Sequence, residues 1–320
     1  MRYFDVFNGD ADGICALHQL RLADPIDSEL VTGLKRDITL LERVPASDGD
    51  VVTVLDISLD RNRAALIGLL DRGAVVMYFD HHYAGRVPQH PNLELMIDAS
   101  GASCTSALVD RHLWARYRAW AVVGAFGDGL PEAALSLAGP LGVDIQVLDE
   151  LRDLGETLNY NAYGQAPADV LVPPLELYRT VHQYDDPLDL VRREPVIAKL
   201  SAGRCADLHR ALGMRPVVRL AACDAFLLPD EPWSRRVHGT FANRLADEDP
   251  SRTHVVLTPA GKDYVVSVRA PDGSSPSAVE FCRRYPGGGG RTNAAGIDRL
   301  GLDNLQPFLD AVQRERWNLH

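Results

Sequence analysis

Three residues with metal-binding side chains, Asp80, His81 and His82, follow directly after an apolar run at 74–79. Such a run predicts a buried strand, and parallel sheets build their active sites at the carboxyl ends of their strands. One carboxylate and two imidazoles offer hard and borderline ligands for a divalent cation. Adjacent histidines are also common surface residues at strand ends, so the tripeptide alone leaves both interpretations open.

Two other apolar runs end in acidic residues. Residues 3–7 lead into Asp10 and Asp12, and residues 51–55 lead into Asp56. Loops at the carboxyl ends of neighbouring parallel strands share one crevice. We therefore expect these acids to lie close to Asp80 and His81. Carboxylates packed together repel one another, and divalent cations relieve that repulsion. The ligands suffice for two ions. The alternative is that the acids are solvated loop residues or helix caps.

The order of the elements predicts the fold class. Strand-like runs lie at 3–7, 51–55, 74–79 and 93–97. Longer segments separate them, and one of these, 60–72, has helical spacing and ends at Gly73. This alternation predicts an α/β fold in which a parallel, helix-covered sheet domain is joined by a connector to a smaller α+β domain.

We place the domains at 1–190, which contains the candidate metal ligands, and at 233–320. The proline-containing stretch 191–232 is interpreted as the connector. In the second domain a hairpin is predicted about Gly261-Lys262, and helices at 277–285 and 302–317 enclose a glycine-rich segment.

Composition restricts the function. The chain has 320 residues, 46% of them hydrophobic, and a net charge of -11, which argues against a groove for long nucleic acid. We find no signal-peptide pattern and no membrane-spanning run, and therefore expect a cytoplasmic protein without a membrane partner. The five cysteines are widely spaced and are expected to be reduced thiols.

The motifs, in their order, resemble those of the DHH phosphoesterase family. The segments that carry the resemblance are Asn8-Gly9-Asp10-Ala11-Asp12-Gly13, Asp56, Asp80-His81-His82 and Gly124-Ala125-Phe126-Gly127-Asp128-Gly129. The glycine-rich segment at 287–296 resembles the glycine motif of the DHH-associated domain, as in RecJ-type exonucleases and nanoRNases. The resemblance covers nearly the whole chain apart from the connector.

The resemblance implies a site for two Mn(II) ions, with Mg(II) as an alternative. Asp10 would bind the first ion and Asp56 would bridge both. The second ion would be held by Asp12, His81 and Asp128. Asn8 stands where the family pattern has His, and its amide oxygen is kept as a candidate ligand. His82 would lie beside the scissile phosphoryl group, so that Asp56 and His82 are the expected catalytic residues.

The same resemblance implies substrate binding by the second domain. Arg269 resembles the family's substrate-binding arginine, although a solvent-exposed strand end would also explain it. The glycines Gly288, Gly289 and Gly290 would let backbone amides approach a phosphate, and the alternative is a flexible linker. Arg291 stands where the family motif has His and could bind a phosphate with two hydrogen bonds.

The expected function is a Mn(II)-dependent phosphodiesterase that hydrolyses short oligonucleotides or dinucleotides to nucleoside 5′-monophosphates by two-metal catalysis. One alternative is a phosphomonoesterase acting on 3′-phosphoadenosine 5′-phosphate. Another is a non-catalytic nucleotide-sensing module, suggested by the departures at Asn8 and Arg291. The sequence does not decide whether the substrate is RNA or DNA, nor its base preference, its length or the direction of cleavage. The oligomeric state is also open, and a homodimer is one possibility.

Overall fold

The computed structural model describes residues 1–319, which form two compact units that divide between Ala202 and Gly203. The α/β class predicted from the sequence, with a parallel sheet and a second sheet-containing unit, is confirmed. Within the described residues no helix has the length and apolar character needed to cross a membrane.

A five-stranded parallel sheet forms the centre of the first unit, with the order β2-β1-β3-β4-β5. Its strands are β1 (Tyr3–Asn8), β2 (Glu29–Gly33), β3 (Val51–Leu55), β4 (Val75–Asp80) and β5 (Leu93–Ile97). Four of the five strands coincide with the predicted apolar runs. The edge strand β2 was not predicted.

Helices cover both faces of this sheet. They are α1 (Ala11–Ala23), α2 (Leu59–Asp71), α3 (Thr105–His112), α4 (Arg118–Gly127), α5 (Pro131–Ala138), α6 (Ile145–Ala162), α7 (Pro174–Val181) and α8 (Pro187–Arg193). A further helix, α9 (Pro195–Leu212), crosses the division between the units. Short 3-10 helices lie at Leu40–Arg43, Gly139–Leu141 and Pro167–Asp169.

Alternate residues of β1 pack into different cores, as the two-residue period of a strand requires. Phe4 and Val6 join a core that contains α2 residues such as Leu66. Phe7 joins the core on the other face, which contains residues of α1, α3, α4 and α6. A strand buried on both faces is apolar along its length, which is why these runs were recognisable.

The second unit is built on a six-stranded sheet with the order β11-β12-β9-β8-β7-β6. Its strands are β6 (Val218–Arg219), β7 (Cys223–Leu227), β8 (Thr253–Ala260), β9 (Asp263–Arg269), β11 (Gly288–Gly290) and β12 (Ala294–Gly301). A separate pair consists of β10 (Ser274–Ser275) and β13 (Asn318–Leu319). The helices are α10 (Pro232–Glu248), α11 (Ala278–Cys282) and α12 (Leu305–Arg314), with a 3-10 helix at Leu302–Asn304.

The predicted hairpin about Gly261-Lys262 is confirmed as the antiparallel pair β8 and β9. The helices predicted at 277–285 and 302–317 are both shorter than expected. Pro286 disfavours helical conformation at Tyr285, the last residue of the first of these predicted helices. The stretch 191–232, predicted as a connector, contains α9 and the strands β6 and β7.

Candidate metal centre

Three neighbouring strands end at the same edge of the parallel sheet, and each places a polar residue there. β1 ends at Asn8, Asp56 follows β3, and β4 ends at Asp80. β3 lies between β1 and β4 in the sheet. Residues far apart in sequence therefore meet at this edge, and His81 and His82 follow β4 directly.

Asp12 connects helix α1 to the start of α3. Its two carboxylate oxygens accept hydrogen bonds from the backbone N–H groups of Thr105 and Ser106, each at 2.7 Å. These N–H groups have no partner within their own helix, so a carboxylate satisfies them well. Gly124 of α4 packs closely here: a Cβ atom would lie 2.1 Å from Ser106 Oγ and 3.3 Å from Asp12 Oδ1. Glycine thus permits the approach of the helix that ends beside Asp128.

Asp56 has a backbone φ of 59°, in the left-handed region. That conformation costs a residue with a Cβ atom about 1–2 kcal/mol. Asp56 Oδ1 accepts a hydrogen bond from Thr105 Oγ1 at 3.3 Å. Burial raises the pKa of Asp56 well above its usual value, and the charges of Asp10 and Asp12 raise it further, whereas His81 opposes the rise. A cation near Asp56 would favour its ionised form.

His81 lies among three carboxylates. Its Nε2 atom is 3.3 Å from Asp56 Oδ1, 3.6 Å from Asp128 Oδ2 and 4.0 Å from Asp12 Oδ2. Burial alone would lower the pKa of His81, but these carboxylates, with Asp56 the strongest, raise it to about 10. Burial also raises the pKa of Asp128, against the opposing effect of Lys35.

The ligand atoms of this cluster are close enough to share an ion. One group is formed by Asp12, His81 and Asp128, and an overlapping group by Asp56, His81 and His82, each with its atoms within 4.8 Å of one another. A set of carboxylates and imidazoles fits a divalent cation such as Mn(II). Burial, and then the neighbouring carboxylates, raise the pKa values of Asp56 and Asp128, and a bound cation would favour the ionised form of both.

His82 lies beside the cluster and is held by Asp80. Its Nδ1 atom is 2.7 Å from Asp80 Oδ1, which also accepts a hydrogen bond from the His82 backbone N–H at 3.2 Å. The other oxygen of Asp80 accepts from the N–H of Leu59, the first residue of α2, at 3.3 Å. The His82 side chain is 44% exposed, against 14% for His81. His82 is therefore oriented by the protein and open to solvent.

Asn8 and Asp10, the predicted ligands of a first ion, make other contacts. Asp10 Oδ1 caps α1 by accepting from the N–H of Gly13 at 3.0 Å, and its Oδ2 lies 2.5 Å from Lys35 Nζ. Asn8 Oδ1 accepts from the Asp10 N–H at 3.3 Å. Burial alone would raise the pKa of Asp10, but the charge and hydrogen bond of Lys35, together with the hydrogen bond from Gly13, lower it. Asp10 belongs to neither of the two groups.

Two residues of the cluster were missed from the sequence, Lys35 and Asn159. Lys35 follows the unpredicted strand β2 by two residues. Asn159 lies on α6 and accepts a hydrogen bond from Lys35 Nζ at 3.3 Å. Recognition of β2 as a strand beside β1 would have placed Lys35 at the same edge of the sheet as Asp10.

The residues predicted to bind substrate lie in the second unit. Arg269 ends β9 and pairs with Ala294 of β12, and its Nε donates to Asn243 Oδ1 at 2.8 Å. Gly290 of the edge strand β11 pairs with the next residue of β12, Ala295. The Arg291 N–H closes the turn between β11 and β12 by donating to the Ala294 carbonyl at 2.8 Å. Arg269 and Arg291 thus lie at the same end of this sheet.

The glycines of β11 differ in what surrounds them. A Cβ atom at Gly288 would lie 1.8 Å from the Cys282 carbonyl oxygen, and one at Gly290 would lie 2.5 Å from Ala295 Cα. Close packing therefore requires glycine at both positions. A Cβ atom at Gly289 would meet nothing within 4 Å. The space next to the Cα atom of Gly289 is therefore open, and a ligand could approach the backbone there.

Comparison of the sequence with protein-family models gives no match, and comparison with curated proteins gives none. Solved structures do match. The structure of exonuclease RecJ bound to manganese is 20% identical with a TM-score of 0.65, over 98% of this chain and 91% of that chain. The complex of RecJ with Mn²⁺ from Thermus thermophilus is 19% identical with a TM-score of 0.66, and the match covers 100% of this chain and 53% of that chain. PggH, a pGpG-specific phosphodiesterase from Vibrio cholerae, is 14% identical with a TM-score of 0.57, over 98% and 97%.

This chain has the RecJ-type DHH phosphoesterase fold. The family resemblance inferred from the motifs is thereby confirmed at the level of the fold. The chain spans about half the length of the Thermus thermophilus RecJ and nearly the whole of PggH. In this DHH fold the acidic motifs and both histidines of Asp80-His81-His82 lie at one edge of the parallel sheet.

Proposed function

We propose that this chain is a metal-dependent phosphodiesterase that hydrolyses short oligonucleotides or dinucleotides to nucleoside 5′-monophosphates. The observation that carries the proposal is the position of His81, whose Nε2 atom lies within 4.0 Å of three carboxylates from separate segments. Further support comes from the fold, which is similar to that of an exonuclease bound to manganese and that of a dinucleotide phosphodiesterase.

The metal would be held by the cluster around His81, and we propose Mn(II), with Mg(II) as the alternative. Mixed carboxylate and imidazole ligands favour Mn(II) over Ca(II), which prefers oxygen ligands alone. RecJ from Thermus thermophilus has been solved with Mn²⁺ and with Mg²⁺. When bound, such an ion supplies positive charge that stabilises the phosphoryl oxygens and lowers the pKa of water.

The residues of the chain would position the substrate and handle protons. Asp80 holds the Nδ1 atom of His82 at 2.7 Å, so Nε2 is the ring nitrogen proposed to contact the phosphoryl group. The buried carboxylate of Asp80 fixes the orientation of the ring, so that Nε2 is placed to transfer a proton to the leaving oxygen. With 44% of its side chain exposed, His82 is accessible to a phosphoryl group.

In the second unit, we propose that the sheet end with Arg269 and Arg291 binds the terminal phosphate. Arg269 is held by Asn243, which fixes the direction of its guanidinium group. The open side of Gly289 lets a phosphate approach the backbone of β11. The net charge of -11 agrees with a short substrate held by a few arginines.

The test is incubation of the purified chain with Mn(II) and RNA or DNA strands of graded length, beginning with dinucleotides. We expect nucleoside 5′-monophosphates as products, turnover that declines with strand length, and loss of turnover after chelation. Release of inorganic phosphate from 3′-phosphoadenosine 5′-phosphate, with no hydrolysis of dinucleotides or oligonucleotides, would contradict the proposal. Tight dinucleotide binding without hydrolysis under saturating Mn(II) would instead indicate a sensing module.

A further inference from the structure

Lys35 places its ammonium group among the carboxylates of the candidate metal centre. Nζ lies 2.5 Å from Asp10 Oδ2, 3.4 Å from Asp128 Oδ1 and 3.3 Å from Asn159 Oδ1. The three N–H donors of the ammonium thus have three oxygen acceptors. Its side chain is 27% exposed, and the Tyr163 ring lies 5.6 Å from Nζ. These contacts fix a positive charge inside the cluster.

Lysine is rare in this chain, which contains three lysines and thirty arginines. The other two, Lys199 and Lys262, are exposed. An ammonium is a compact charge on a flexible stem, whereas a guanidinium is a planar fork that needs more space. The position between the carboxylates of Asp10 and Asp128 is thus filled by the cationic side chain closest to a metal ion in size and shape.

The residues predicted to bind a first ion both hold Lys35. Asp10 accepts from its ammonium, and Asn8 Nδ2 donates to the Lys35 carbonyl oxygen at 3.4 Å. Asn8 is the departure from the family motif, in which histidine would offer a metal-binding nitrogen. The residue that differs from the family motif, Asn8, is therefore in direct contact with Lys35. The first position has lost one ligand, and Asp10, the carboxylate that belongs to this position alone, is bound to an ammonium.

We propose that the Lys35 ammonium takes the place of the first ion and that this chain binds a single divalent cation. The ligands of that cation are Asp12, Asp56, His81 and Asp128. The inference rests on the proposed function, because it describes the same active site. It replaces the pair of Mn(II) ions implied by the family resemblance with one ion and one fixed charge.

Charge supports this arrangement. A protonated amine offers N–H donors and no lone pair, so the Lys35 ammonium cannot bind a metal ion. It competes with a metal ion for the oxygens of Asp10. One divalent ion and Lys35 together supply three positive charges for the four carboxylates that surround them. A second divalent ion would be repelled by the ammonium at short range.

The inference is tested by counting bound ions in the whole protein. Metal-free protein is titrated with Mn(II) chloride while the electron paramagnetic resonance signal of free Mn(II) is recorded. We expect one tightly bound ion per chain and no spectrum from a coupled ion pair. Two ions per chain with dinucleotide turnover would overturn this inference and leave the proposed function standing. Failure to bind either Mn(II) or Mg(II) would overturn both.

A double variant removes both features of the first position, the Lys35 ammonium and the Asn8 amide. The double variant Asn8→His with Lys35→Met is expected to bind two Mn(II) ions, with a signal from a coupled pair. The control Lys262→Met, at an exposed turn, is expected to bind one. A folded double variant that still binds one ion would overturn the role of Lys35. The wild-type titration decides the ion count even where the double variant does not fold.

Discussion

The Nε2 atom of His81 lies 3.3 Å from Oδ1 of Asp56, and in the metal-free protein this contact is an ion pair. Burial lowers the pKa of His81, but the surrounding carboxylates outweigh burial and raise the pKa to about 10. His81 is therefore protonated at neutral pH. A metal ion needs the same nitrogen without its proton. Protons and metal ions consequently compete for this site.

We predict that Mn(II) binding releases about one proton per ion between pH 7 and 9. The sign follows from the raised pKa: below about 10 the free protein carries the His81 proton and the metal complex does not. Affinity should therefore increase about tenfold for each unit of rising pH. Calorimetric titrations in buffers of different ionisation enthalpy measure the proton count. In His81→Asn the released proton should disappear, and proton release unchanged from wild type would contradict this account.

Replacement of Asp56 by Asn should abolish turnover and stabilise the metal-free protein. Asn tolerates the left-handed φ of 59° and keeps an acceptor for Thr105. The pKa of Asp56 is raised by burial first and then by Asp10 and Asp12, so its ionised form destabilises the fold at neutral pH. We expect the free energy of unfolding of the metal-free protein to rise by about 1–3 kcal/mol in urea titrations. A loss of stability would show that Asp56 is mainly structural.

Replacement of Asp80 by Asn should reduce activity through His82. The amide keeps an oxygen acceptor for Nδ1 but lacks the negative charge of the carboxylate, so it holds the ring less strongly. We expect a 10- to 100-fold lower kcat, roughly, with Mn(II) affinity nearly unchanged. The change should lower kcat more than it raises KM, because Asp80 acts through the orientation of the His82 ring. A kcat equal to that of the wild type would exclude the positioning role.

The acidic motifs could be located from the sequence because each follows a strand with a recognisable local pattern. β1, β3 and β4 are buried on both faces, so their sequences are apolar almost throughout. β2 lies at the edge of the sheet, has no fully buried residue, and its sequence Glu-Leu-Val-Thr-Gly gives a weak signal. Lys35 could not be placed without that strand.

The connector was difficult to interpret because proline has two roles. Pro187, Pro195 and Pro232 each occupy the first position of a helix, where the missing N–H has no cost. The prolines of this region therefore begin helices: α8 starts at Pro187, just before the stretch 191–232, and α9 lies within that stretch. The side-chain contacts of the metal centre required the structure, since a distance such as that from Lys35 to Asn159 depends on how two distant segments pack.

The glycines of β11 allow stability to be separated from substrate binding. Gly288→Ala should destabilise the second unit by about 1–3 kcal/mol or more, because its methyl group meets the Cys282 carbonyl oxygen. Gly289→Ala places its methyl group in open space and should leave the melting temperature unchanged. If a phosphate approaches this strand, Gly289→Ala should raise KM for a dinucleotide several-fold with a smaller effect on kcat. Unchanged KM in Gly289→Ala would place the phosphate site elsewhere.

A buried histidine outside the metal centre should make stability depend on pH. His18 of α1 is fully buried, and its Nε2 lies 2.9 Å from the Tyr184 carbonyl oxygen. Burial first, and then the charge of His182, lower the pKa of His18 to about 3. The unfolded chain, with a histidine pKa near 6.5, binds a proton below that pH that the folded protein does not bind. His18 should therefore decrease the free energy of unfolding by up to about 1.4 kcal/mol per unit as pH falls from 6.5 towards 3.

Urea titrations between pH 7.5 and about 4.5 should show a shallower decrease for His18→Gln than for wild type or for His209→Gln, an exposed control. Identical slopes in all three proteins would mean that His18 takes up its proton without unfolding.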